Sequence, residues 1–358
     1  MRIVFAGGGT GGHLFPGISL AEELRRRHPD ARLLFLVTAR DHSYGNLEKQ
    51  GIEVAVVPSS GSGPLPKRIA SLVPGMACAF RLLRRFRPDV VIGLGGYGAL
   101  APVASARLLR IPCVLLEQNV MPGRTNRFLE LFVTEVECQW AESAVFFHNR
   151  SKVRVTGNPI RAGIQRRDRA AAAAQLGIDP AKRTLLVMGG SQGATPLNES
   201  VFGALQFFAE EKPPIQFVHL TGRADVERAR AVYESFPMPA AVLGFLGDMS
   251  LAYSVCDLAV SRAGGTSIAE LTALGIPSIL IPYPYATDNH QYLNARVLEY
   301  EGAALLIEQA ALSPARLAHR VTELLGNPAR LAYMARQSRL FGVPRAASVV
   351  ADRLDALG

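Results

Sequence analysis

Asn289, His290, Gln291 and Asn294 crowd into residues 289–294, and each makes hydrogen bonds without bringing a fixed charge. Side chains of that kind suit the hydroxyls of a sugar-like polyol. Upstream, residues 262–267 hold Gly264-Gly265 ahead of Thr266 and Ser267, and a helix starting there would turn bare N–H groups towards an anion. The two stretches together fit an uncharged polyol attached to something anionic. Near the front of the chain, His13 closes the glycine-rich run 7–12. Glycines let backbone approach a ligand closely, and a neutral imidazole beside them can take up a proton.

Such residues need elements to hold them. Residues 258–260 read as a buried strand that Gly264-Gly265 breaks. Thr266 or Ser267 then caps a helix carrying Glu270, and Pro277 opens a second apolar strand ending at Pro282-Tyr283-Pro284. Strand, turn, helix and strand make one parallel crossover unit, whose ligand lies beyond the strand C-termini. Residues 2–6 begin the same design, with His13 in the first turn of the following helix, and strands at 33–37, 90–92 and 113–116 continue it. Their tips carry Gly95-Gly96-Tyr97 and Glu117-Gln118-Asn119, the latter ahead of Pro122-Gly123-Arg124-Thr125-Asn126. Residues 144–147 and 153–156 read as strands that close the first half, and 135–142 fit no pattern.

Gly157-Asn158-Pro159-Ile160-Arg161 reads as a linker, after which the design restarts. A strand at 184–188 meets the phosphate-style turn Gly189-Gly190-Ser191-Gln192-Gly193 and a helix at 196–210. Strands at 216–220, 241–243 (with Leu246 at its tip) and 304–307 follow, and residues 344–357 form a helix with a route back to the first domain. The expected fold is α/β. Two doubly wound parallel-sheet domains, 1–157 with 342–358 and 158–341, face each other across a cleft.

Gly7, Gly9 and Gly12 also fit the dinucleotide fingerprint G-x-G-x-x-G. His13 and Pro16 stand where that fold wants small residues, Arg40-Asp41 displaces the acidic ribose ligand, and the second half repeats the glycine design. A nicotinamide dehydrogenase is therefore disfavoured. For His13 two readings stand, a proton acceptor or a ring that only packs. The positive end of the helix dipole favours the neutral ring in either case.

The 358 residues, 49% hydrophobic with 33 glycines, suit a two-domain α/β enzyme. No apolar run is long enough for a bilayer, and the first strand follows Met1 directly, so the expectation is a cytoplasmic protein without a signal peptide. The four cysteines are scattered, and no D-x-D, H-E-x-x-H or Cys/His cluster suggests a metal. A net charge of +9 leaves anionic small molecules and an anionic membrane as partners. Nucleic acid is not expected, because no basic segment interleaves with aromatics. Residues 64–87 mix basic and apolar positions at helical spacing, which fits a helix lying on a membrane and equally one packed on a sheet.

Taken together, GGGTGGHLFP, GGYG, EQN, TGNPIR, GGSQGA, SRAGGTSIAEL and DNHQYLNA resemble the MurG family of bacterial glycosyltransferases, in order and over nearly the whole chain. The combination of GGTGGH, GGSQGA and DNHQ is specific. The resemblance implies the GT-B fold and an inverting transfer of N-acetylglucosamine (GlcNAc) from UDP-GlcNAc to the 4-hydroxyl of MurNAc in lipid I. The product, lipid II, feeds peptidoglycan synthesis, and with it cell shape and division. It also implies an N-terminal domain for the acceptor, peripheral on the cytoplasmic face of the plasma membrane, and a C-terminal domain for the donor.

Carried onto this sequence, the resemblance gives Glu270 the ribose hydroxyls, although Ser267-x-x-Glu270 also reads as a capping box. Arg161, Ser191, Gln192 and Gly193 meet the uridine or diphosphate, and the Leu246 backbone meets uracil. Asn119, the Gly265 amide with Thr266 and Ser267, His290, Gln291 and Asn294 complete the donor site. Gly9, Thr10, Gly11, Gly12, Gly95, Gly96 and Tyr97 bind the acceptor diphosphate. His13 is the general base, with Glu117 as its alternative or as the group orienting it. No cofactor is implied, and stimulation by divalent ions stays open. A transferase for another lipid acceptor, a UDP-GlcNAc epimerase and a nucleotide-sugar-binding regulator are the competing readings.

Overall fold

The computed structural model describes residues 1–8, 11–39, 51–58, 65–190, 193–211 and 214–357, without the side chains of 65–69 and 71. Gly9, Thr10, Arg40, Asp41, Ser191 and Gln192 lie outside the described residues, as do the side chains of Lys67 and Arg68. The chain forms two compact units, Met1–Ala162 with Arg345–Gly358, and Gly163–Pro344.

The strands of the first unit are β1 (Arg2–Gly7), β2 (Arg32–Val37), β3 (Glu53–Val56), β4 (Val90–Gly95), β5 (Cys113–Glu117), β6 (Glu135–Cys138) and β7 (Val153–Val155), with apolar runs covered on both sides at β1, β2, β4 and β5. They pair in parallel in the order β3-β2-β1-β4-β5-β6-β7. Alternation divides β1 between two cores, with Ile3 and Phe5 on one face and Val4 and Ala6 on the other. Helix α1 (Gly11–Arg27) covers the first face, while α2 (Leu65–Phe86), α3 (Leu100–Leu108) and α4 (Arg124–Leu129) cover the second.

The second unit repeats the plan with β8 (Arg183–Met188), β9 (Ile215–Leu220), β10 (Ala240–Leu243), β11 (Leu258–Ser261), β12 (Ser278–Leu280) and β13 (Ala304–Leu306). The order is β10-β9-β8-β11-β12-β13, again parallel. Its helices are α5 (Arg169–Leu176), α6 (Thr195–Glu211), α7 (Val226–Glu234), α8 (Met249–Val255), α9 (Gly265–Ala273), α10 (His290–Tyr300), α11 (Pro314–Leu325) and α12 (Pro328–Leu340). Local chemistry starts them: Ser313 and Asn327 accept from the third residue inside α11 and α12, and proline fills the first helical position of each.

The last helix, α13 (Ala346–Asp355), packs on α1 in the first unit. Val350, Ala351 and Leu354 join the core around Leu20 and Leu24, and Arg27 binds Asp352 and the Ser348 carbonyl. Replacing fully buried Leu354 with alanine should cost ~2–5 kcal/mol in denaturant unfolding; a smaller loss would mean α13 adds little to this core.

Two segments depart from the sequence expectations. Residues 144–147 are no strand: 144–146 close a 3₁₀ helix, Ala141–Phe146, Phe147 follows it, and β6 pairs directly with β7. The unassigned 135–142 supplies β6, whose two glutamates are buried. Arg353 of α13 and Arg154 satisfy Glu135, while burial pushes the Glu137 carboxyl up. Cys113, Cys138 and Cys256 are buried thiols, pushed up by desolvation, and Cys78 is half-buried.

Candidate functional site

In the first sheet the strand order reverses between β1 and β4, and in a parallel sheet such a reversal opens a crevice at the strand C-termini. The two tips there touch. Gly8 N donates to Gly95 O at 3.3 Å, and a Cβ on Gly96 would lie 2.3 Å from Gly8 O. Gly7, Gly95 and Gly96 have φ of 103°, 93° and 71°, a region that suits glycine alone at low cost. These glycines are thus explained first by loop meeting loop. Tyr97 begins the turn after them, and Gly11 and Gly12 begin α1.

His13 occupies the first turn of α1, as expected. Its ring packs against Gly95, where an added Cβ would sit 3.1 Å from Nδ1. Nδ1 lies 2.8 Å from Gln118 Oε1, at the tip of β5. Glu117 does something else. It is 2% exposed, and its oxygens accept from Asn119 N at 2.9 Å, Gly123 N at 3.0 Å and Asn126 Nδ2 at 2.9 Å. A carboxylate so engaged organises the 117–126 loop, and the side chain that meets His13 Nδ1 is that of Gln118. Asn119 is tied to Glu117 through its amide as well. Arg161 also belongs to this unit, its guanidinium 5.8 Å from the Phe15 ring.

The second sheet reverses between β8 and β11, so the loops after these strands flank its crevice. After β8, Gly193 N donates to Gly190 O at 3.0 Å, and a Cβ on Gly193 would strike Thr221 O at 2.3 Å. After β11, α9 begins at Gly265 with Gly264 as its N-cap. Thr266 and Ser267 therefore lie inside the helix and do not cap it, and the capping-box reading of Ser267 and Glu270 falls. Among the described residues nothing stands within 4 Å of where a Gly264 side chain would go, while Gly265 behind it is buried. Glu270 is 5% exposed, and its Oε2 accepts from the Tyr253 hydroxyl at 2.6 Å.

The loop before α10 is unusual in backbone: Asp288 and Asn289 have φ of 50° and 55°, sparsely populated for non-glycine residues. His290 Nδ1 donates to Thr287 O at 2.8 Å, and Gln291 Oε1 accepts from Tyr283 N at 2.9 Å. Asn294 is the exception among the expected donor contacts. It is 0% exposed and donates to Ala263 O at 3.1 Å, so it braces the backbone ahead of α9 from inside. Leu246 follows β10, the edge strand of this sheet.

Residues 3–137 match the glycosyltransferase family 28 N-terminal domain, and 184–350 match its C-terminal domain. A relative from Thermodesulfovibrio yellowstonii is 38% identical, with 100% of this chain and 99% of that protein covered. Its name is UDP-N-acetylglucosamine–N-acetylmuramyl-(pentapeptide) pyrophosphoryl-undecaprenol N-acetylglucosamine transferase. A relative of that name from Anaeromyxobacter dehalogenans is 41% identical over 98% of this chain and 92% of its own length. The chain belongs to the MurG family of glycosyltransferases. The crystal structure of Acinetobacter baumannii MurG superimposes with a TM-score of 0.80 at 29% identity, covering 99% of both chains, and the GT-B fold class follows. A UDP-GlcNAc 2-epimerase from Neisseria meningitidis, at 14% identity and a TM-score of 0.68 over 99% of both chains, shares the fold alone.

The sequence reading gave no role to three side chains of this family member: Gln118, Tyr253 and Arg262. Buried Arg262 donates to Ile281 O, Pro282 O and Gln309 Oε1, so it ties the end of β11 to the end of β12. Near Gly193, Asn198 donates to Thr221 O and Asp225, and its Oδ1 meets His219 Nε2 at 3.1 Å. Burial pushes the His219 ring down to about 3. The unfolded chain, with its ordinary value near 6.5, therefore binds the proton first on acidification. The stability this group contributes is complete above pH ~6.5 and is lost as pH falls towards 3, by at most ~1.4 kcal/mol per unit. Unfolding free energies measured down this range should fall more steeply in the wild type than in His219→Gln; equal slopes would contradict it.

Proposed function

We propose that the chain is an inverting transferase that moves GlcNAc from UDP-GlcNAc to the 4-hydroxyl of MurNAc in lipid I, giving lipid II. The observation that carries this reading is full-length identity of 37–41% to transferases of that name. The donor belongs to the second unit, 163–344. Within it, the α9 start and Gly190 to Gly193 meet its diphosphate; Glu270 meets the ribose and the Leu246 backbone the uracil. Gln291, His290 and the Gly265 amide meet the GlcNAc hydroxyls. The His290 Nδ1 bond to Thr287 O supports this, since it leaves Nε2 as an acceptor for a hydroxyl.

The acceptor belongs to the first unit, with its diphosphate at the 9–12 and 95–97 tips. Its 4-hydroxyl attacks the anomeric carbon, the bond to UDP breaks, and the electron pair leaves on the UDP phosphate. His13 takes the hydroxyl proton. Oriented amides meet the growing negative charge without having to reorganise. No resident cofactor enters the scheme, and comparing magnesium with a chelator measures any share a divalent ion has in helping UDP leave.

UDP release, measured with and without a lipid I analogue, tests the reading. Release that depends on the analogue supports transfer. Binding of UDP-GlcNAc without release marks a binding module, and interconversion of the sugar without an acceptor marks an epimerase.

The same reading sets the enzyme peripherally on the anionic cytoplasmic membrane face. Among the described residues no helix is long and apolar enough to cross a membrane. An open groove of about 640 Å³ along α2 is lined by Met76, Phe80 and Leu108 together with Arg81, Arg84 and Arg85, an apolar floor with basic walls. Reversing charge at Lys67, Arg68 and Arg84 should release the protein from anionic vesicles, and undiminished binding in co-sedimentation would discard this face.

A further inference from the structure

We propose that Gln118 is a positioning residue that decides which nitrogen of His13 is free to take a proton. The inference rests on His13 being the base in the reaction above. Gln118 is 2% exposed, and its backbone carbonyl accepts from Trp140 Nε1 at 3.2 Å. Its side-chain Nε2 lies 3.4 Å from Leu116 O. A carbonyl can only accept, so this contact turns the amide nitrogen towards Leu116 and the amide oxygen towards His13, 2.8 Å from Nδ1. That oxygen can only accept too. Nδ1 must then carry the hydrogen, and in the neutral ring Nε2 keeps its lone pair.

Free histidine in water favours the opposite tautomer, with its hydrogen on Nε2. Without Gln118 the ring would revert to that form and present a donor where the reaction needs an acceptor. With Gln118, the acceptor's hydroxyl proton goes to Nε2 and Nδ1 keeps its own. The imidazolium so formed donates a charge-assisted bond to the same Gln118 oxygen until solvent removes the proton. The glycine at 95 leaves the room for this arrangement.

The test compares Gln118→Met, which removes the acceptor oxygen, with Gln118→Glu, which replaces it. Nitrogen-15 spectra of histidine-labelled protein, with the His13 signals assigned through His13→Gln, read the tautomer without any turnover. The wild type should show hydrogen on Nδ1, Gln118→Met should move it to Nε2, and Gln118→Glu should restore Nδ1. In the transfer assay, Gln118→Met should lose ~10–100-fold in kcat with little change in the KM for UDP-GlcNAc, short of the full loss of the base. Gln118→Glu should recover most of this, with the acidic limb of its pH profile moved to higher pH, because a carboxylate beside the ring favours imidazolium. Hydrogen on Nε2 in the wild type, or a tautomer unmoved by Gln118→Met, overturns the proposal whatever the reaction is. A tautomer that behaves as stated, in a protein that releases no UDP, would leave the pairing intact and remove the transferase reading instead.

Discussion

Replacing His13 with alanine lowers turnover with lipid I by ~10²–10⁴-fold, the range expected when a positioned base is lost, and leaves the KM for UDP-GlcNAc near its wild-type value. The split follows from where the residue lies. His13 stands in the first turn of α1, at the strand reversal of the first unit, and the residues assigned to the nucleotide lie mainly in the second. Among the described residues, Glu117 is the other proton acceptor to weigh at that crevice. Glu117, the obvious candidate, already holds Asn119, Gly123 and Asn126 with both oxygens. Near-normal turnover of His13→Ala in a UDP-release assay would eliminate it as the base.

Glu270→Ala is expected to act on the other side of the same comparison. The KM for UDP-GlcNAc should rise ~10–100-fold, the loss that goes with charge-assisted hydrogen bonds to ribose hydroxyls, while kcat changes less. The carboxylate also accepts from the buried Tyr253 hydroxyl at 2.6 Å. Losing that acceptor should cost ~1–3 kcal/mol of stability, so calorimetric donor affinity must be compared with unfolding of the same variant. Tyr253→Phe separates the two roles, because it removes the hydroxyl and leaves the carboxylate in place. A Glu270→Ala protein with unchanged donor affinity and reduced stability would reduce Glu270 to an internal partner of Tyr253.

Much of the architecture was legible because parallel strands covered on both faces are written as short apolar runs, such as 2–6, 90–92 and 184–188, each followed by glycine. Strand β6 was not. Its Glu-Val-Glu-Cys pattern breaks the apolar run, and the arginine that satisfies Glu135 arrives 218 positions later on α13. No local pattern carries that information. The glycine clusters pointed to the right strand tips, but their first physical reason, one loop backbone pressed on another, depends on which strands are neighbours.

The side chains divide in the same way. His13 stood out through its setting of glycines. Glu117 and Asn294 were singled out by type, yet the type of a residue does not show that its polar atoms are already engaged inside the fold. Gln118 stood only as the middle of the Glu117-Gln118-Asn119 tip, because its contact with His13 depends on which strand tips are neighbours. The start of α9 was misplaced by the usual preference for serine or threonine at an N-cap, where Gly264 serves instead.

A crystal structure with UDP-GlcNAc bound tests the central assignment most directly. The uridine should lie on the second unit, its ribose at Glu270 and uracil at the Leu246 backbone, with the diphosphate against the start of α9 and the 190–193 turn. A nucleotide seated instead on the 7–12 glycine rim of the first unit would contradict the account.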